Sequence, residues 1–125
     1  MTVKTQIKID VTTQYIAAQS NPRQGQYVFS YTITISNHAP HNVTLKSREW
    51  RITDAEGKVT RVAGEGVIGQ QPCIAPGESF TYTSGTVIAT PVGMMEGHYL
   101  MHSNQGEPFK VAIPSFRLAI PNIIH

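Results

Sequence analysis

Apolar and polar residues alternate with a period of two along most of the chain. The first segment shows this clearly, because its apolar and polar members would fall on opposite faces of a strand: Ile7, Ile9, Val11 and Tyr15 against Lys8, Asp10 and Thr12. The stretch QYVFSYTITIS repeats the pattern with aromatic and β-branched residues, and similar alternation recurs around Phe80 and in HYLMH and FKVAIPSFRLAI. Such alternation is typical of half-buried β-strands, and no stretch carries the 3.6-residue stripe of an amphipathic helix.

One predicted strand changes phase in its middle. In NVTLKSREWRITD, Val43 and Leu45 share a face, but Trp50 lies an odd number of residues beyond them. All three side chains reach one core only if an extra residue re-aims the strand. The sequence therefore predicts a β-bulge near Ser47 or Arg48.

The segments between strands carry recognisable turn chemistry. Asp54 and Gly57 in TDAEGK suit a short hairpin with a bulge, because Gly57 stands where a positive φ is needed. Pro76 and Gly77 in APGE suit the two central positions of a type II turn. Pro114 interrupts the last strand pattern, and since proline has no N–H for a ladder, it predicts an edge strand or a bulge.

About seven strands with short connections predict an all-β fold. We expect an antiparallel β-sandwich of the immunoglobulin-like class, with a small closed barrel as the alternative. The paired cysteines of antibody domains are absent, so a fibronectin type III-like sandwich fits better than an antibody domain. The length of 125 residues suits a single domain over residues 1–125.

Composition and charge narrow the functional classes. The net charge is +2 and only 14% of residues are charged, with no basic run, which argues against a nucleic-acid binder. The single cysteine excludes an internal disulfide, which fits a reducing compartment. The beginning of the chain does not read as a signal peptide, and no apolar run approaches the roughly 20 residues of a membrane span. We expect a cytoplasmic protein.

The stretch GEGVIG spells G-x-G-x-x-G at Gly64, Gly66 and Gly69. In dinucleotide-binding enzymes this pattern follows a strand and opens a helix that faces the pyrophosphate. Here Gln70, Gln71 and Pro72 follow the pattern, and Pro76–Gly77 turns the chain four residues after Pro72, so no useful helix fits. The interpretation as a dinucleotide-binding fold therefore fails.

Two interpretations of the glycines remain open. In the first, they let an exposed loop turn and let backbone pack closely, with Val67 and Ile68 tucked in. In the second, the loop forms a nest of backbone N–H groups that binds an anion such as pyrophosphate without a helix. Arg61 and Lys58 lie just upstream and supply positive charge, whereas Glu65 within the loop opposes it.

Candidate catalytic and metal-binding groups are sparse. Cys73 is expected at a strand edge as a partly buried structural thiol, because no histidine or aspartate near it in sequence would activate it. His98 and His102 share a strand face but stand about 13 Å apart, too far to hold one ion. His38 and His41 lie three residues apart in a turn without a cysteine or carboxylate cluster, and are expected to be solvated. We predict neither a catalytic site, nor a metal site, nor a cofactor.

Several motifs in fixed order carry a family resemblance over nearly the whole chain. They are W-x-I-T-D from Trp50, G-x-G-V-x-G-x-Q-P from Gly64, P-G-x-x-F-x-Y-T-S-G from Pro76 and M-x-G-x-Y-x-M from Met95. The upstream YVFSYTITISNHAP fits the same family. On these motifs the chain resembles the ApaG family of small bacterial proteins.

The resemblance implies a fibronectin type III-like sandwich without an established enzymatic activity. It also implies an indirect link to cobalt tolerance and magnesium efflux. The same module occurs in larger eukaryotic proteins, which points toward protein–protein binding with an unidentified partner. For the glycine motif the resemblance implies pyrophosphate or nucleotide binding, carried here by Gly64, Gly66 and Gly69. An open sandwich also allows a homodimer through its edges.

Overall fold

The computed structural model describes residues 6–104 and 107–121, and these residues form a two-layer antiparallel β-sandwich. The described residues include eight strands, with two short 3-10 turns between the first and the second. The strands are β1 (Ile7–Tyr15), β2 (Tyr27–Asn37), β3 (Val43–Asp54), β4 (Val59–Glu65), β5 (Cys73–Ile74), β6 (Ser79–Ile88), β7 (Val92–Ser103) and β8 (Pro108–Ala119). The 3-10 turns, Ala17–Gln19 and Pro22–Gln24, connect β1 to β2.

The predicted all-β sandwich is confirmed, with β5 as a short strand additional to the expected seven. One sheet has the order β1-β2-β6, and the other has the order β4-β3-β7-β8, with β5 paired to β3 beyond the end of β4. Strand β1 packs near β8, so these two strands close one side of the sandwich. Strands β6 and β4 stand at the opposite side. No helix of the described residues is long and apolar enough to cross a membrane.

The core lies between the sheets and is built by the inward members of each alternating strand. Phe29, Ile33 and Ile35 of β2 face inward, and Tyr99 and Met101 of β7 meet them from the other layer. The single tryptophan, Trp50, packs edge-on against two aromatic rings, those of Tyr31 and Phe116. Its indole Nε1 is buried and has no hydrogen-bond partner in the described part of the chain.

Both predicted irregularities in the strands are present. The register of β3 against β7 shifts between Leu45 and Ser47, which confirms the bulge and lets both halves of β3 reach the core. The register of β8 against β7 shifts where Pro114 lies, and among the described strands β8 pairs only with β7. This proline therefore occupies both an edge strand and a bulge. The missing N–H of proline therefore interrupts no ladder.

The predicted turns are confirmed as well. Asp54 accepts hydrogen bonds at Oδ1 from the amides of Glu56 and Lys58, and Gly57 has a φ of 86°. In the second turn Glu78 N donates to Ala75 O at 3.0 Å and Gly77 has a φ of 80°, the arrangement of a type II turn.

The outer face of the three-stranded sheet carries a ladder of paired hydroxyl groups. Each pair joins β2 to β6 directly across the strands: Thr32 with Thr83 at 2.8 Å, Thr34 with Thr81 at 3.0 Å, and Ser36 with Ser79 at 2.9 Å. On the inner face of β6, the hydroxyl of Tyr82 meets that of Tyr99 in β7 at 2.5 Å. This buried bond joins the two sheets.

Two of the predictions involve residues that the structure does not describe. The single-domain assignment covers residues 1–125, which include positions outside the described ranges. The prediction that the chain does not begin with a signal peptide also involves such positions.

Candidate functional site

The glycine motif begins in the last residues of β4, where Gly64 lies, and continues into a loop on one edge of the five-stranded sheet. Strand β4 pairs with residues 47–53 of β3 and β5 pairs with residues 43–44, so both run along the same edge in the same direction. Between them the chain leaves the edge as the segment from Gly66 to Pro72, which we call the glycine loop. It faces the bulge of β3, where Lys46 O accepts bonds from Gly66 N at 2.8 Å and from Gln71 Nε2 at 2.9 Å.

The tip of the glycine loop is a tight two-residue turn. Val67 and Gln70 form an isolated antiparallel bridge, with Val67 N donating to Gln70 O at 2.8 Å and Gln70 N donating to Val67 O at 2.9 Å. The two residues between them, Ile68 and Gly69, both have positive φ, 43° and 78°. Positive φ at both central positions defines the type I′ turn that suits hairpins.

The loop buries only one of the two apolar side chains expected to be tucked in. Val67 is fully buried and belongs to the core cluster, but Ile68 is 51% exposed. The expectation was wrong for Ile68 because it occupies the first central position of the turn, which points away from the sandwich. Of these two side chains, Val67 is therefore the one that anchors the loop to the core.

Gly66 and Gly69 meet backbone requirements, whereas Gly64 leaves room for a side chain. A Cβ on Gly66, whose φ is 63°, would stand 2.1 Å from Gln70 O. A Cβ on Gly69 would meet open space, and only its φ of 78° favours glycine. A Cβ on Gly64 would stand 3.0 Å from Nη1 of Arg48. The structural interpretation of the motif thus has a concrete reason at every position.

Arg48 connects the glycine loop to the interior. Its Nη1 donates to Gly66 O at 2.9 Å and to Glu65 O at 3.2 Å.

The buried tyrosine pair near Arg48 has raised pKa values. Burial raises the pKa of Tyr82 to about 12, and this rise is opposed mainly by the hydrogen bond to Tyr99 and to a smaller extent by the charge of Arg48. Burial also raises the pKa of Tyr99 far above its ordinary value, and Tyr82 raises it further. Both hydroxyls thus stay protonated near neutral pH and serve as a neutral structural pair.

The loop offers few groups to an anion. The amides of Gly66, Val67 and Gln70 already donate to carbonyl oxygens of the chain, so between Gly66 and Gln70 the amides without an acceptor among the described residues are those of Ile68 and Gly69. A shallow depression of about 370 Å³ lies beside them, lined by Glu65, Gly69, Gln70 and Gln71. Its one charged side chain is a carboxylate, which would repel an anion. Anion binding at Gly64, Gly66 and Gly69 therefore stays a prediction.

Cys73 occupies a strand edge as expected, but the expectation of partial burial was wrong. In the two-residue strand β5, Ile74 takes the inward position and is buried, so the alternation turns Cys73 to solvent. Within residues 6–104 and 107–121, no three histidine, cysteine, aspartate or glutamate side chains come close enough to hold a metal ion.

The structure contains two surface depressions that were not predicted from the sequence. The first is a slot of about 320 Å³ at the side of the sandwich, between the edges of β6 and β4. The second is a depression of about 500 Å³ on the outer face of the five-stranded sheet, which we call the charged groove. Its charged members are Glu49, Arg51, Arg61, Glu96 and His98. The period of two could have placed these on outward faces, but only strand order brings β4, β3 and β7 side by side.

Within the charged groove the charges are unevenly paired. His98 Nε2 and Glu49 Oε2 stand 3.2 Å apart and form an ion pair when the imidazole is protonated. Arg51 lies directly opposite Arg61 on β4 and opposite Glu96 on β7. Across the described residues, neither arginine forms an ion pair.

Comparison with known proteins identifies the family. The sequence profile of the ApaG domain matches residues 17–103. The chain is 54% identical over 119 residues to a Protein ApaG of Vibrio vulnificus and 56% identical over 119 residues to one of Photobacterium profundum, in each case covering 95% of this chain and 94% of the relative. A crystal structure described as the ApaA protein of Bordetella pertussis superposes with a TM-score of 0.91 at 48% identity, covering 94% of this chain and 95% of that one. The chain belongs to the ApaG family.

Proposed function

We propose that this protein is a non-enzymatic binding module that holds a protein partner at the edge of β6. The observation that carries the proposal is the state of that edge. Among the described residues β6 pairs only with β2, so one row of its backbone N–H and C=O groups faces away from the sheet without a strand partner. Natural edges are usually protected by charge or proline, yet the ten residues of β6 contain neither. An edge of this kind suits the addition of a strand from another protein.

The slot beside β6 supports the same proposal. It is lined on one side by Thr86, Val87 and Ile88 of β6. On the other side lie the apolar Ile52 and Val62, together with Thr60 and the charged residues Asp54 and Lys58 of the β3–β4 hairpin. Val87 is 60% exposed and Val62 is 38% exposed, so apolar surface remains open to solvent here. The partner would be an extended segment whose backbone pairs with β6 and whose uncharged, apolar side chain enters the slot.

A site-specific cross-linking experiment tests the proposal. A photoreactive phenylalanine analogue is placed at Val87 and, as a matched control, at Met94, which is 47% exposed on the central strand β7. We expect a defined partner to cross-link in cells from position 87 and not from position 94. The purified partner should then lose binding to Val87→Lys, because a charge on the edge opposes strand addition, and keep binding to Met94→Lys. Equal cross-linking from both positions would contradict the proposal.

The functional links implied by the resemblance are proposed as consequences of partner binding. Any part in cobalt tolerance or magnesium efflux would be indirect, acting through the partner in the cytoplasm. In support, the described residues bring no metal-ligand cluster together. The exposed Cys73 lies at the edge strand β5, outside the slot and the charged groove. We expect no hydrolysis of nucleotides or dinucleoside polyphosphates, and sustained turnover by the purified protein would contradict the non-enzymatic assignment.

A second candidate function is the binding of pyrophosphate or a nucleotide by the glycine loop. The amides of Ile68 and Gly69, which have no acceptor among the described residues, favour it. The test is an NMR titration of the labelled protein with pyrophosphate at matched ionic strength. Localised, saturable shifts of the Ile68 and Gly69 amides would support this function, and uniform small shifts would count against it.

A further inference from the structure

The charged groove carries an arrangement of charge that the fold itself does not neutralise. Arg51 and Arg61 are Cα partners in the antiparallel pair β3–β4, and both point to the outer face of the sheet. Like charges directly opposite each other are unfavourable in a sheet. No acidic side chain of the described residues forms an ion pair with either guanidinium. Two neighbouring fork-shaped donors are thus left available for a carboxylate.

The two glutamates of the charged groove differ in whether they have an ion-pair partner. Glu49 is engaged by His98 at 3.2 Å. Glu96 stands opposite Arg51 on the other side, on β7, and forms no ion pair with any described residue. Across the strands the groove therefore reads as two positive positions followed by one negative position: Arg61, Arg51, Glu96.

The floor of the groove is lowered by small residues and by the bulge. Gly97 and Ala112 line it, and a Cβ on Gly97 would stand 2.1 Å from Glu49 O. The register of β7 against β8 shifts beside Gly97. Bulges of this kind re-aim side chains and are frequent beside functional sites. The charged positions consequently border a depression of about 500 Å³, within the range of ligand pockets.

The spacing of these charges matches an extended peptide. Neighbouring strands lie about 4.8 Å apart, so the midpoint between Arg61 and Arg51 is roughly 7 Å from Glu96. In an extended chain, residues two apart point to the same side and stand about 6.7 Å apart. An acidic residue and a basic residue separated by one residue would therefore reach the arginine pair and the glutamate together.

We propose that the charged groove is a second binding site, which takes an extended segment of a protein partner carrying an acidic and a basic residue in i, i+2 spacing. The acidic side chain is held between Arg51 and Arg61, and the basic side chain by Glu96. The site lies on the other sheet from the β6 edge, so Val87→Lys leaves it intact and the two proposals can fail separately.

A peptide titration of the labelled full chain tests the site. The probe is a capped heptapeptide of glycine and serine carrying one glutamate and one lysine separated by a single serine. The control peptide places the same glutamate and lysine side by side, which sends them to opposite faces of an extended chain. At low salt we expect the spaced peptide to produce saturable amide shifts at Arg51, Arg61 and Glu96, with Val87 as an unaffected reference. The adjacent peptide should bind several-fold more weakly.

Variants separate the groove from general charge effects. Arg61→Gln should weaken binding of the spaced peptide by about two- to fivefold, the range for an exposed ion pair. Lys110→Gln removes one positive charge from an exposed position on β8 outside the groove and should leave the affinity unchanged. Equal affinity for the two peptides, or equal effects of the two variants, would overturn the proposal. So would a dimer in sedimentation that Arg61→Gln dissociates, because a second copy would then be the occupant of this face.

Discussion

Replacing Gly66 by alanine tests the structural reason for the glycine motif. The new Cβ would stand 2.1 Å from Gln70 O and 2.9 Å from Gln70 C, both of them backbone atoms that no side-chain rotation can move. The turn closed by Val67 and Gln70 must therefore open. Gly69→Ala is a matched control in the same loop. Both glycines have a positive φ, 78° at Gly69 and 63° at Gly66, but a Cβ on Gly69 would meet open space.

The expected magnitudes follow from these contacts. A positive φ costs alanine about 1–2 kcal/mol, and this applies to both variants. Gly66→Ala also strains the two backbone bonds between Val67 and Gln70, each of which contributes about 0.5–1.5 kcal/mol. We expect Gly66→Ala to lower the free energy of unfolding by about 2–5 kcal/mol and Gly69→Ala by about 1–2 kcal/mol.

Urea unfolding followed by circular dichroism measures both values, read as a shift of the midpoint at unchanged slope. The loss at Gly66 should clearly exceed the loss at Gly69. If Gly66→Ala is no more destabilising than Gly69→Ala, the close approach of Gln70 does not fix the loop, and the structural account of Gly66 is wrong.

Four further predictions concern the residues around the loop and the core. Tyr82→Phe should cost about 1–3 kcal/mol because the hydroxyl of Tyr99 loses its partner, and the double variant with Tyr99→Phe should cost less than the sum of the two single variants. Since the pKa of Tyr82 is raised to about 12 in the folded state, the unfolded state ionises first, so stability should be complete below about pH 10 and fall between pH 10 and 12, as measured by urea midpoints across that range. Gly64→Ala should be less destabilising in an Arg48→Ala background than in the natural protein, because the atom it would crowd is Nη1 of Arg48; additive losses in this double-mutant cycle would count against that contact. The sole tryptophan, Trp50, should fluoresce at short wavelength and resist quenching by iodide until the protein unfolds, because it is 2% exposed and its Nε1 lacks a partner among the described residues; ready quenching in the folded state would contradict its burial.

The sequence predicts the strands and their irregularities because these depend on local pattern. The odd spacing between Leu45 and Trp50 has one physical solution, and the bulge lies where that spacing requires it. Gly57 and Gly77 likewise mark their turns because few other residues adopt a positive φ. The same local reasoning failed at Ile68, whose apolar character says nothing about its position at the tip of a turn.

Contacts between distant segments could not be predicted in this way. Asn37 is fully buried and satisfied by Ile74 O and His41 O as acceptors and by Ala39 N as a donor, yet nothing near it in sequence indicates this. The charged groove and the slot also depend on strand order. The predicted hairpin around Asp54 and Gly57 is compatible with the pairing of Arg51 and Arg61, but nothing near them in sequence shows that β7 places Glu96 on the other side of Arg51.

The hydroxyl ladder between β2 and β6 leaves the alignment of these strands ambiguous on its outer side. A slip of two positions would again set threonine or serine against threonine or serine along most of the ladder, so those contacts barely discriminate between alignments. The inner side removes the ambiguity, because such a slip would put Phe80 or Ser84 where Tyr82 now meets Tyr99. The inward contacts of β6 therefore select the native pairing, and the bond between Tyr82 and Tyr99 is one of them.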